Sequence, residues 1–139
     1  MANFYSTAFA RRNAGKSLDG DLNSAPLRRF QAVVPLAAQA SADVGYLVEL
    51  PRGYRFAHGM LNTDTSLGAA TIAIGVPGTP AKYRAAAAFT ATDTPTMFGK
   101  AAALAEAEPE TQTIILTVGA AALPGAGTLI VDVYASHRG

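Results

Sequence analysis

Between Thr111 and Tyr134, large apolar and polar side chains alternate in two runs separated by a stretch of small residues. Gln112, Ile114, Leu116 and Val118 fall on one side of an extended chain and Thr111, Thr113 and Thr117 on the other, with Ile115 the one break in the polar face. The second run repeats the scheme, setting Leu129, Val131 and Val133 against Thr128, Asp132 and Tyr134. Successive side chains of a strand point to opposite faces, so this period of two marks strands with one buried side. Gly119, Pro124, Gly125 and Gly127 between the runs let a chain reverse, and the pattern predicts a β-hairpin. A lone hairpin is marginal in water, so its apolar face requires a second sheet from the rest of the chain.

That chain supplies strand signals from Arg28 onward. Arg29 to Pro35 places Phe30, Ala32 and Val34 on one face, and Pro35 forces an edge or an end. Asp43 to Leu50 alternates Val44, Tyr46, Val48 and Leu50 before a turn at Pro51-Arg52-Gly53, after which Tyr54, Phe56, His58 and Met60 form an aromatic face to Leu61. Asn62 to Gly68 reads as a turn or loop, and Thr71 to Val76 turns Ile72, Ile74 and Val76 inward. Thr79 to Phe89 suits a short helix with Thr79 as N-cap and Pro80 in the first turn, although a small-residue strand fits the same residues. Thr90 to Met97 reads as loop. In Gly99 to Glu110 the glutamates 106, 108 and 110 recur at every second position, which predicts an exposed strand or loop edge in place of a helix face.

Six or more short strands at near-regular spacing define an all-β class: an antiparallel β-sandwich or jelly-roll-like domain over 28–139, with at most one or two short helices. Residues 1–27 differ. They lack periodicity, are broken by Asn13, Gly15, Gly20, Asn23 and Pro26, and still carry Phe4, Tyr5, Phe9, Leu18 and Leu22, so they predict an extended N-terminal arm. At roughly 3.3 Å per residue the arm spans about 80 Å, enough to order on a neighbouring subunit as well as on its own body.

Composition narrows the chemistry. The chain has 139 residues, one domain's length, and much of its 50% hydrophobic content is alanine, leaving a modest core that favours help from partner subunits. With no cysteine there is neither a disulfide nor a thiolate metal site. No apolar run approaches a membrane span. The net charge of +1 hides an asymmetry: Arg11, Arg12, Lys16, Arg28 and Arg29 against Asp19 and Asp21 give the first 29 residues five minus two, or +3.

Catalytic constellations are weak. Ala10-x4-Gly15-Lys16-Ser17 matches a loosened phosphate loop, but the residues after it make a poor helix, so the match reads as chance. His58 and His137 have no serine, cysteine or carboxylate at triad or metal spacing, and Asn62 to Ser66 lacks the acidic density of a calcium loop. The pairs Arg11-Arg12 and Arg28-Arg29 suit an acidic protein surface better than nucleic acid, because aromatic interleaving stops after the first nine residues. The expectation is a non-enzyme with no cofactor or metal.

The opening Met1-Ala2-Asn3-Phe4-Tyr5, the stretch Gly59-Met60-Leu61-Asn62-Thr63-Asp64-Thr65-Ser66-Leu67-Gly68 running into Ala73-Ile74-Gly75, and Thr117-Val118-Gly119-Ala120-Ala121-Ala122-Leu123-Pro124 resemble in texture the capsid decoration (cement) proteins of tailed bacteriophages. The resemblance implies a protein made in the host cytoplasm and held on the virion's capsid surface, often as a homotrimer, where it clamps neighbouring subunits of the major capsid protein. It lends no catalytic residues, cofactors, nucleic-acid or membrane partners. On that reading Phe4, Tyr5 and Phe9 are buried anchors, and Arg11, Arg12, Arg28 and Arg29 complete the capsid or subunit contact. The alternative expectation is a carbohydrate or host-surface binding β-module of a phage particle, with exposed tyrosines clustered on one loop edge.

Overall fold

A computed structural model describes Gly15 and residues 26–104 and 107–137. In chain order the elements are β1 (Leu27–Pro35), β2 (Val44–Leu50), β3 (Tyr54–Thr63), β4 (Thr71–Val76), β5 (Thr79–Ala88), β6 (Thr96–Phe98), the one-turn helix α1 (Ala101–Leu104), β7 (Gln112–Gly119) and β8 (Thr128–His137). They form two four-stranded antiparallel sheets, β1-β8-β3-β6 and β2-β7-β4-β5, packed as a sandwich. The expected all-β class holds.

The expected hairpin does not. β7 and β8 are consecutive, yet β7 pairs with β2 and β4 while β8 pairs with β1 and β3, so the two runs lie in opposite sheets. Their apolar sides face each other: Ile114, Leu116 and Val118 from one sheet, Leu129, Val131 and Val133 from the other, all buried. The physical reason lies in the connection. The eight residues 120–127 exceed the two to five of an ordinary hairpin loop, and buried Leu123 pins this connection to the loop after β1. There Leu123 N donates to Gln39 O and Ala38 N to Pro124 O, each at 2.9 Å, and Leu36 N to Gly127 O at 2.9 Å.

Two bulges overturn two predicted faces. A register shift between Phe56 and His58 keeps Tyr54 and Phe56 inward but moves His58 and Met60 to the outer face, while Gly59, Leu61 and Thr63 turn in. Another between Tyr46 and Val48 keeps Val48 and Leu50 on the core side and leaves Val44 and Tyr46 outside, 46% and 74% exposed. A strict period of two fails at an inserted residue because each insertion flips every later side chain.

The short helix expected over 79–89 is strand β5. Pro77-Gly78, with Gly78 at φ 90°, makes a two-residue turn between Val76 and Thr79, and pairing with β4 overrides the local helix signal. Pro80 is tolerated because β5 is an edge strand. Two further expectations are corrected. β6 lies partly inside the presumed loop 90–97, and the stretch 99–110 contains α1 and a buried Glu108 where an exposed edge was predicted.

The core centres on Phe56 of β3 and Tyr83 of β5, stacked across the sandwich at 4.3 Å between ring centroids. Phe98 completes the aromatic group, 6.0 Å from Phe56, and its ring lies over Gly59, where an added Cβ would collide with it. Gly59 is therefore a close-approach position.

Candidate contact surface

Of the predicted contact residues, Phe4, Tyr5, Phe9, Arg11 and Arg12 lie outside the described residues. Arg28 and Arg29 open β1, at the end of the sandwich shared with the β2–β3 turn and the end of β8. The Arg28 guanidinium sits 5.9 Å from the Tyr54 ring centroid. Arg29 donates to Asp132 Oδ2 at 3.1 Å, and this bond, with the carboxylate's charge, raises the guanidinium's affinity for its proton. Asp132 Oδ1 is buried without a hydrogen-bond partner among the described residues.

Ladder register orders the outer face of the first sheet into rows. Leu27, Ser136 and Arg55 form one, Arg29, Tyr134 and His58 the next, then Gln31, Asp132, Met60 and Met97, then Val33, Ile130 and Asn62. His58 stacks on Tyr134 at 4.7 Å and 16°, so it is a packed surface histidine and not a member of the aromatic core. His137 leans on Tyr54, 5.0 Å between ring centroids. Four of the six exposed large hydrophobics among the described residues, Leu27, Val33, Met97 and Leu104, lie on this face or its rim. Met97 and Leu104 also wall an open cleft of about 300 Å³ with Ala57, His58, Phe98 and Gly99.

A smaller hollow of about 150 Å³ at the opposite end is lined by Asn62, Thr63, Asp64, Asp93, Thr128 and Ile130. Asp64 there accepts from Thr128 N at 2.8 Å and Thr65 Oγ1 at 3.0 Å, bonds that hold its carboxyl below the usual range. This is turn-capping chemistry, and the plain-turn reading holds for Asp64 to Ser66, whereas Asn62 and Thr63 are the last paired residues of β3. No group of three His, Cys, Asp or Glu among the described residues is arranged to hold a metal ion.

The polar cluster that sequence reading missed is internal. Glu108 Oε1 accepts from Lys82 Nζ at 2.5 Å and from Tyr83 OH at 2.6 Å, both on β5. Its own backbone is tied to the other sheet, with Gly53 N donating to Glu108 O at 2.8 Å and Glu108 N to Tyr54 O at 2.9 Å. One residue therefore bolts β3 to β5. Burial, then the bond to Glu108 and its charge, push the Tyr83 phenol well above its ordinary value, so it serves as a fixed donor and not as an acid. The signal was available: Pro109 marks a turn, and Lys82-Tyr83-Arg84 is a run of adjoining side-chain donors in an otherwise alanine-rich β5.

No protein-family model matches the chain, and no curated protein does. Solved structures do. A chain of the cyanophage Pam1 capsid asymmetric unit superposes with a TM-score of 0.68 at 15% identity, covering 99% of this chain and 92% of that one. A chain of the capsid of Ralstonia phage GP4 gives 0.63 at 18% identity, covering 84% and 86%. A chain from the acidic stable capsid structure of Helicobacter pylori bacteriophage KHP30 gives 0.55 at 13%, covering 79% and 93%. At these identities the likeness is one of fold: the sandwich is an architecture also found among chains of phage capsid structures.

Proposed function

We propose that the chain is a virion structural protein of the decoration or cement class, attached to the outside of an assembled phage capsid and stabilising contacts between capsomers. The observation that carries this reading is the fold shared with chains of three phage capsid structures over most of both lengths. The mechanism is two-point attachment. The rigid body, 28–139, makes one contact and the arm, 1–27, makes a second across a subunit boundary; tethering raises the effective concentration of each for its site. Phe4, Tyr5 and Phe9 act as anchors, and Arg11 and Arg12 pair with carboxylates or carbonyls of the major capsid protein. A second copy, in a trimer, is part of the same reading, as is the absence of catalysis.

The carbohydrate-binding alternative has less support. Of the four described tyrosines only Tyr46 is well exposed; Tyr54 and Tyr83 are buried and Tyr134 is half-buried against His58. Deleting Met1 to Asn23 tests the proposal: the variant is expected to keep the far-UV circular dichroism of a folded sandwich and to lose co-sedimentation with capsids. Binding at full strength without the arm would overturn the two-point mechanism.

A further inference from the structure

We infer that the outer face of the first sheet, β1-β8-β3-β6, is the body's seat on the protein shell, an inference that rests on the decoration reading above. The sheet edges are poor alternatives. β1 carries Arg28, Arg29 and Pro35, β2 has Glu49 and a bulge, and β6 is three residues long. β5 has Pro80 and irregular pairing with β4, where the Arg84 guanidinium fills the gap by donating to the carbonyls of Ile72, Ala87 and Ala88. Proline, charge, bulges and shortness are the devices that stop a sheet from recruiting another strand. Contact must then come through a face.

Of the two outer faces, the first sheet holds Leu27, Val33, Met97 and the rim residue Leu104, 52%, 59%, 64% and 37% exposed. Its central charges are already engaged: Arg29 with Asp132, and Arg55 with a partner of its own. The result is an apolar rim around a centre whose cations are already engaged, which fits a partly apolar protein surface. It does not fit nucleic acid, which would need unpaired cations.

Area decides between the shell and a second copy. Four strands about 4.8 Å apart and eight residue steps of about 3.3 Å give a face on the order of 500 Å², short of the roughly 800 Å² per partner of a stable interface. A face of that size holds weakly alone and firmly only beside a second, tethered contact, which the arm supplies on a shell.

The test uses the full chain with Val33→Lys and Met97→Lys together, and Tyr46→Lys on the other outer face as control. All three sites are exposed, so each protein is expected to keep its Tm, as surface changes away from packed or paired groups do. The probe is the capsid of the encoding phage, stripped of this chain, in a co-sedimentation assay. Wild type and Tyr46→Lys are expected to bind alike, and the double variant to lose at least about tenfold, because docking would bury two unpaired ammonium groups. Equal binding by the double variant overturns the inference while leaving the decoration reading intact; failure of wild type to bind overturns that reading itself. Sedimentation velocity supplies a further arm. Self-association of wild type that the double variant abolishes would make the face an interface between copies and overturn the inference.

Discussion

Replacing Glu108 probes the bolt between the sheets. Its carboxylate is 5% exposed and serves two donors with one oxygen, Lys82 Nζ and Tyr83 OH. Glu108→Ala strands the Tyr83 hydroxyl in the core, which costs about 1 to 3 kcal/mol for an unsatisfied buried group. Lys82 keeps 28% of its side chain exposed, so it turns to water and adds less than a fully buried cation would. The expected total is about 2 to 4 kcal/mol. Glu108→Gln keeps an acceptor for Tyr83 and loses only the charge, for about 1 to 2 kcal/mol. At about 4 °C per kcal/mol for a domain this size, the two variants separate clearly in thermal melts. A cycle with Tyr83→Phe isolates the coupling, expected near 1 kcal/mol. A cost below about 1 kcal/mol for Glu108→Ala, or equal costs for Ala and Gln, would refute the bolt.

The raised proton affinity of Tyr83 gives a pH dependence of definite sign. The unfolded phenol ionises near pH 10 while the folded one stays neutral, so stability is intact below that pH and falls above it, by up to about 1.4 kcal/mol per pH unit. Tyr83→Phe is expected to flatten this alkaline decline in urea titrations run from roughly pH 9 to 11, and parallel wild-type and variant curves would contradict it. Gly59→Ala is expected to displace the Phe98 ring and cost about 1 to 3 kcal/mol by chemical denaturation. If Phe98→Leu does not relieve that cost, the clash is not its cause.

The alternation in 112–118 and 129–133 was legible because each residue there packs against one face, as the buried Ile114, Leu116, Leu129 and Val131 show. Which strand each run pairs with was not. Pairing is decided by Leu123 and the backbone bonds to residues 36–39, contacts that join positions some 85 residues apart. The face of β3 was legible only as far as Ala57 and that of β2 only beyond Leu47, because the bulges at those points reset the parity. For β5, alanines favour helix in isolation and gave no sign of the ladder that fixes them. Of the candidate contact residues, Arg29 was named from its charge, but its pairing with Asp132 depends on a register that brings residues 103 positions apart together.

The split placement of β7 and β8 also governs when the molecule takes shape. β8 is the interior strand to which both β1 and β3 zip, and β7 the one to which β2 and β4 zip. Until the ribosome has made residues 112–137, the nascent polypeptide can close little beyond the β4–β5 and β3–β6 pairs, and most of its strands wait with bare backbones. Assembly of the sandwich therefore waits on β7 and β8, and any delay there leaves a chain primed to stick to its siblings.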